Sequence, residues 1–87
     1  MQELSLIVPN KTGLHARPAR CFAGVAQSFK SNISIEAKGR KVNAKSIIFV
    51  ISLGAVKGTE VKIVIDGEDE IQAREAIQEL FDNNLNE

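Results

Sequence analysis

Hydrophobic and polar residues alternate along the chain with two different periods, and each period predicts a type of element. Residues 3–8 place alternate apolar side chains on one face, which is the period expected of a half-buried strand. From residue 16 to about residue 29, apolar side chains recur at i, i+4, i+7 and i+11, and this spacing predicts an apolar stripe on a helix. Pro18 lies in this stripe, so the helix must begin at residue 15 or 16, because proline is tolerated only in the first turn.

The rest of the chain predicts a hairpin, a fourth strand and a second long helix. Residues 32–37 and 40–43 flank Lys38 and Gly39, and a glycine at the second of two turn residues suits a tight hairpin. Residues 61–65 alternate as a strand, and a helix follows from about residue 69 to residue 83. The side chains that we expect this helix to bury are Ala73, Ala76, Ile77, Leu80 and Phe81.

Residues 46–53 are ambiguous between strand and helix. Their Ile, Phe and Val side chains favour a strand by propensity, but Ser46 can cap a helix and Gly54 can end one. The run is too short for periodicity to decide. The element order is therefore βαββ(α)βα, which predicts a single α+β domain over residues 1–87 with one face of the sheet covered by helices and the other facing water.

Composition indicates a small globular protein with a mostly aliphatic core. The 87 residues are 44% hydrophobic and 25% charged, and they include four Phe but no Trp or Tyr. Eleven Lys plus Arg balance eleven Asp plus Glu, so the strong basic charge of a small nucleic-acid binder is missing. The balance hides an asymmetry, because residues 1–45 carry eight basic and two acidic residues while residues 46–87 carry three and nine. An acidic partner would prefer surfaces built from the first half.

Other classes of protein are excluded by what the chain lacks. One Cys and one His cannot form a disulfide framework and supply too few ligands for a structural zinc, so we expect neither a metal nor another cofactor. The N-terminus lacks a signal-peptide pattern, and no apolar run approaches the ~20 residues of a membrane span. We therefore expect a cytoplasmic monomer that neither enters a membrane nor binds nucleic acid.

The most informative segment is residues 13–19, which read GLHARPA. His15 stands at the predicted start of a helix, where amides without intrahelical partners and a partial positive charge favour an anion. A phosphoryl group on the imidazole would be stabilised there, and Arg17 is placed to supply a guanidinium. Gly13 lets the backbone turn tightly beside the ring. Position alone is also compatible with an ordinary surface histidine, so the interpretation depends on the joint pattern.

This segment resembles the active-centre signature of the HPr family, the phosphocarrier proteins of the bacterial phosphoenolpyruvate-dependent phosphotransferase system. The resemblance continues with the family's spacing through residues 42–47, 52–54, 57–58 and 67–70, which read VNAKSI, SLG, KG and GEDE. It implies an open-faced sandwich of a four-stranded antiparallel sheet with three helices on one face, in which residues 47–53 form a short second helix.

The resemblance also implies a role for each candidate site residue. His15 would accept a phosphoryl group on Nδ1 from the phosphohistidine of Enzyme I and donate it to an EIIA-type domain, and Arg17 would steady the phosphoryl oxygens. Ser46 matches a position that an ATP-dependent HPr kinase/phosphorylase modifies in many relatives, and a transcriptional regulator is a further implied partner. The protein would then be a phosphoryl carrier rather than an enzyme.

Partner docking is expected on the short helix and on the outward face of the first helix. In a short helix the natural inward set is Ile47, Val50 and Leu53, so Ile48, Ile51 and Phe49 are left outside as an apolar patch. The complete set of expected docking residues is Ala16, Arg20, Gly24, Gln27, Ile47, Ile48, Phe49 and Ile51. Arg20 and Phe49 depart from the family pattern, in which position 20 is commonly small and position 49 is often Gly. Both would alter partner choice without touching His15.

Three other interpretations of the sequence compete with this one. Residues 39–46 match the P-loop pattern at every fixed position except one, where Ala44 replaces the second Gly. The domain is too small for a nucleotide-binding α/β fold. The basic side chains of Lys38, Arg40, Lys41 and Lys45 could contact RNA, but no aromatic residues accompany them for base stacking, and we interpret them as solvated. The main alternative is a regulatory or nitrogen-type HPr paralogue that acts mainly through docking.

Overall fold

A computed structural model describes residues 1–86. The strands are β1 (Gln2–Ile7), β2 (Asn32–Ala37), β3 (Arg40–Asn43) and β4 (Glu60–Asp66). The helices are α1 (Ala16–Gln27), α2 (Ile47–Ser52) and α3 (Glu70–Asp82), and a short 3-10 turn (Asn84–Asn86) follows α3. The ambiguous segment is therefore helical, and the predicted order of elements is confirmed over the described residues.

The four strands form one antiparallel sheet in the order β1-β4-β2-β3. Ile63 on β4 lies opposite Leu4 on β1 and Ile35 on β2, and all three side chains are buried. The intervening residues Ser5 and Lys62 face the other side, which carries polar side chains and stays open. This alternation confirms the predicted open-faced sandwich, because one face of the sheet is buried against the helices and the other stays exposed.

The core between sheet and helices is largely aliphatic, as the composition predicts. Its aromatic centre is the pair Phe22 on α1 and Phe81 on α3, whose rings meet edge to face with centroids 6.1 Å apart. Leu85 in the 3-10 turn is fully buried with a positive φ of 56°, and the apolar pattern did not predict this contact. Burial of each large apolar side chain stabilises the fold by about 1.5–3 kcal/mol.

Several predicted details of the elements need correction. β4 is one residue longer at each end than predicted, and α3 is one residue shorter at each end. β1 begins and ends one residue earlier than predicted and stops before Val8, which precedes Pro9. α1 ends at Gln27 instead of residue 29, because the N–H groups of Ser28 and Phe29 bond to the Val25 and Ala26 carbonyls, three residues back instead of four. Ala76 on α3 is half-buried, whereas the stripe predicted it to be buried. Within residues 1–86, no helix has the length and apolar character needed to cross a membrane.

The carboxylate of Asp69 joins the chain after α1 to the start of α3. It accepts hydrogen bonds from the backbone N–H groups of Lys30 at 2.8 Å and Ser31 at 2.9 Å, and from the Ser31 hydroxyl at 2.5 Å. These bonds, the hydroxyl bond foremost, hold the pKa of Asp69 below its ordinary value. A Cβ on Gly67 would lie only 2.6 Å from the Ser31 Cα, so the two turns are in direct contact.

Candidate functional site

His15 occupies the N-cap of α1, immediately before the first helical residue. Its backbone is extended, with φ −87° and ψ −168°, and its carbonyl accepts the N–H of Ala19 at 2.8 Å. The predicted position at the helix start is thus confirmed. The imidazole makes no capping hydrogen bond to the first-turn amides, and the residue is exposed.

The loop before His15 is bound to the segment that follows α2. The N–H of Leu14 donates to the carbonyl of Ala55 at 2.8 Å, and the side chain of Asn10 donates to the Gly13 carbonyl at 2.7 Å. Gly13 has φ +69°, and a Cβ there would lie 2.8 Å from the Val56 Cα and closer still to the Ala55 carbonyl oxygen. The predicted tight turn therefore requires glycine for two reasons, its φ and its lack of a side chain.

A shallow depression of about 110 Å³ lies beside His15. Its lining residues are Thr12, Leu14, His15, Ile51, Gly54, Ala55 and Val56. The motifs in the sequence did not assign Thr12 or Val56 to this place, although residues 52–54 were part of the family resemblance. The depression is too small to enclose a metabolite, so a reacting group at His15 remains accessible to another protein.

The first turn of α1 presents a basic and unopposed helix end. Arg17 is the second helical residue and is exposed, while Pro18 is the third and is buried. Proline is accommodated here because an N–H at this position has no intrahelical acceptor. The first turn contains no acidic residue. An anion on His15 would therefore meet the positive end of the helix dipole and the Arg17 charge without a competing carboxylate.

The helix α2 presents Ser46 and an apolar patch. Ser46 is the N-cap, and its hydroxyl oxygen accepts the N–H of Phe49 at 3.3 Å. Ile48 is 76% exposed and Phe49 is 52% exposed, as expected of the outward face. Val50 is fully buried.

Two of the predicted orientations on α2 are wrong. Ile51 was expected outside, but it is half-buried and packed against the core, because it also lines the depression formed with the His15 loop. Ile47 was expected to point inward, but it is only half-buried and does not join the core. A six-residue helix buries its centre, here Val50, better than its first residue.

The outward face of α1 contains a link to α2. Ala16, Arg20, Gly24 and Gln27 are all exposed. The Gln27 side chain donates to the carbonyl of Lys45 at 2.8 Å. The Lys45 ammonium donates in turn to the carbonyl of Phe29 at 2.8 Å. Gln27 therefore helps to hold α1 against the start of α2, a contact that the helical spacing did not predict.

Lys38, Arg40 and Lys41 of the basic hairpin between β2 and β3 are exposed, as predicted, but two of them also bind the end of α2. Lys38 Nζ donates to the Gly54 carbonyl at 3.3 Å. The guanidinium of Arg40 donates to the Ser52 carbonyl at 2.9 Å and to the Ser52 hydroxyl at 3.3 Å. The P-loop-like residues 39–46 form the hairpin turn, β3 and the cap of α2, which is not the single loop between a strand and a helix that cradles phosphates.

Comparison with known proteins identifies the family. A family model described as "PTS HPr component phosphorylation site" matches residues 2–83. A phosphocarrier protein HPr of Xylella fastidiosa strain 9a5c is 49% identical over 87 residues, which cover 100% of this chain and 98% of the relative. The chain belongs to the HPr family. An HPr is a phosphocarrier protein of the phosphotransferase system, and this is the role of the chain.

Solved HPr structures share the fold in detail. An HPr from Thermoanaerobacter tengcongensis superposes with a TM-score of 0.95 at 44% identity, covering 100% of this chain and 98% of that one. The histidine-containing phosphocarrier protein of a Mycoplasma gives a TM-score of 0.90 at 42% identity, with 97% of each chain covered. Among residues 1–86 of this HPr chain, no group of three or more His, Cys, Asp or Glu side chains is arranged to hold a metal ion.

Proposed function

We propose that His15 carries the phosphoryl group, accepting it on Nδ1 from the phosphohistidine of Enzyme I and passing it to an EIIA domain. The observation that carries this proposal is the position of His15 as the exposed N-cap of a helix whose first turn holds Arg17 and no acidic residue. The partial positive charge of a helix end stabilises an exposed anion by about 0.3–1 kcal/mol, and the nearby guanidinium adds to this.

The proposed reaction needs little from the carrier beyond position and charge. The N–P bond of the donor histidine breaks as the bond from phosphorus to the Nδ1 of His15 forms, and the donor nitrogen keeps the electron pair of the broken bond. Such a transfer depends mainly on alignment and electrostatic support. The shallow depression beside His15 suits this role, because the partner must bring its own reacting group to the ring.

Docking is proposed on the exposed apolar side chains near that ring. Ile48 and Phe49 on α2 and Val56, which is 59% exposed and lines the depression, present an apolar surface. The exposed Arg17 and Arg20 on α1 add positive charge to it. An Enzyme I or EIIA surface with an apolar centre and acidic residues around it would be complementary.

Ser46 is proposed as a regulatory phosphorylation site for an HPr kinase/phosphorylase, with a transcriptional regulator as a reader of the modified form. The side chain already caps α2, and a phosphate at a helix N-terminus is structurally tolerated. It would add about −1.5 to −2 charge beside the proposed docking surface. Modification would then weaken docking to an acidic partner without unfolding the domain.

The proposal is tested by incubating the protein with Enzyme I and phosphoenolpyruvate and following its intact mass. We expect an acid-labile gain of one phosphoryl group in the wild type and in Lys11→Ala, a control for loss of a nearby basic residue. His15→Ala should gain nothing, and Arg17→Ala should gain it more slowly. A phosphorylated His15→Ala would overturn the site assignment. Transfer from the phosphorylated chain to sugar-type and nitrogen-type EIIA domains then distinguishes the carrier of sugar uptake from a regulatory paralogue.

A further inference from the structure

The C-terminal end of α2 is held by two cations that come from another part of the chain. Arg40 begins β3 and binds the carbonyl and the hydroxyl of Ser52, and Lys38 binds the carbonyl of Gly54. We propose that Arg40, assisted by Lys38, is a positioning residue for phosphoryl transfer. It fixes the end of α2 and thereby residues 54–56, which line one side of the depression beside His15. This inference rests on the proposed role of His15.

α2 needs such support because it is very short. Isolated helices below about 12 residues are marginal in water, and α2 has six residues with no basic residue in its last turn. Its final carbonyls are nevertheless satisfied. Ser52 Oγ donates to the Phe49 carbonyl, and the N–H groups of Leu53 and Gly54 donate to the Val50 and Ile51 carbonyls. The Ser52 carbonyl is bound by Arg40, which places a cation at the negative end of the helix.

The end of α2 is connected directly to the His15 loop. Gly54 follows the C-cap of α2 and opens the segment whose Ala55 carbonyl accepts the N–H of Leu14. Leu14 precedes His15 in the chain, and Gly13 packs against the backbone of Ala55. A shift of residues 52–54 would therefore move the acceptor that fixes the residue before the phosphorylated histidine.

Comparison with Lys41 distinguishes the effect of the contact between Arg40 and Ser52 from the effect of positive charge alone. Lys41 is adjacent to Arg40 and carries the same charge, but it lies on the open face of the sheet, in a surface depression shared with Ser34 and Val64. Loss of either cation removes one unit of the same charge, and salt screens the resulting loss of long-range attraction to an acidic partner. Only the loss of Arg40 removes the bonds to Ser52.

The experiment compares phosphorylation by Enzyme I of the wild type, Arg40→Met, Arg40→Lys and Lys41→Met. Each is measured at low salt and at about 0.5 M salt, where the Debye length is about 4–5 Å. For Arg40→Met we expect kcat/KM to fall about three- to tenfold at both salt concentrations, with faster amide exchange at Leu14. Arg40→Lys should recover part of the rate. Lys41→Met should lose rate only at low salt and leave Leu14 unchanged.

The proposal is overturned if Arg40→Met and Lys41→Met behave alike and both recover at high salt. It is equally overturned if exchange at Leu14 is unchanged in Arg40→Met. If the wild type itself is not phosphorylated, the proposed function fails, but the comparison of Leu14 exchange between Arg40→Met and Lys41→Met still tests the positioning contact.

Discussion

Gly13 lies so close to the backbone of Ala55 that no side chain fits between them. A Cβ on Gly13 would overlap the Ala55 carbonyl oxygen and lie 2.8 Å from the Val56 Cα. The same carbonyl accepts the N–H of Leu14. The backbone before His15 and the backbone after α2 therefore form one unit, and the geometry at the histidine depends on both.

Gly13→Ala should consequently lower both stability and transfer. The substitution introduces a steric overlap and an L-residue at φ +69°, and we expect a loss of about 2–4 kcal/mol in the free energy of unfolding. Urea unfolding measures this loss. Gly58→Ala is the matched control, because Gly58 also has a positive φ of 88° but has nothing within 4 Å of an added Cβ. It should lose about 1 kcal/mol. Equal losses in the two variants would show that the overlap at Ala55 is unimportant.

Ser46 offers a test that separates capping from charge. Ser46→Ala removes the acceptor for the Phe49 N–H and should cost about 1 kcal/mol of stability. Ser46→Asp keeps a cap acceptor, so its unfolding midpoint should stay close to that of the wild type. The added negative charge should still slow phosphorylation by Enzyme I several-fold. An Asp variant that is phosphorylated as fast as the wild type would contradict the proposed regulatory effect.

Ile48 is expected to contribute to docking and not to folding. It is 76% exposed, so Ile48→Ser should change the free energy of unfolding by no more than about 0.5 kcal/mol. The KM of Enzyme I for this protein should rise by about tenfold, because the removed side chain belongs to the apolar docking surface. Ile71→Ser is the control, since Ile71 is 55% exposed but lies on α3. A similar rise in KM for both variants would exclude a specific role for α2.

The contacts of Asp69 predict a pH dependence of stability. Its pKa is lowered in the folded protein, chiefly by the Ser31 hydroxyl bond and also by the Lys30 N–H. The folded state therefore binds fewer protons than the unfolded state as the carboxyl titrates, and the stabilisation is complete above the unfolded pKa of about 4 and lost as the pH falls through the lower folded value. Asp69→Asn should be less stable than the wild type at pH 7, and in urea titrations this difference should shrink as the pH falls below the unfolded pKa of about 4. A difference independent of pH would refute the explanation.

Local sequence signals predicted those elements whose causes are local. The hairpin ends match the prediction because Lys38 and Gly39 both adopt positive φ, as a two-residue turn between twisted strands requires. The start of α1 was predictable from Pro18 for a similar reason, since the restriction acts within one turn. The position of His15 at the entry to the helix followed from this start.

Features that depend on distant residues were not predictable. Arg40 and Ser52 are 12 positions apart, and Lys45 and Phe29 are 16 apart, so no period in the sequence relates them. For the same reason, the five consecutive apolar residues 47–51 could not by themselves predict a helix instead of a strand over residues 47–52. It depends on the burial of Val50 and on bonds at both ends of the helix.

The shallow surface around His15 has a consequence for how long the proposed phosphorylated form persists. Because the depression beside His15 measures only about 110 Å³, residues 1–86 do not enclose an N–P bond there and shield it from solvent. Water is excluded during transfer only when a partner covers the ring. Between encounters, hydrolysis then sets the lifetime of the proposed phosphorylated protein. The phosphoryl group is preserved only if the protein meets an acceptor before hydrolysis occurs.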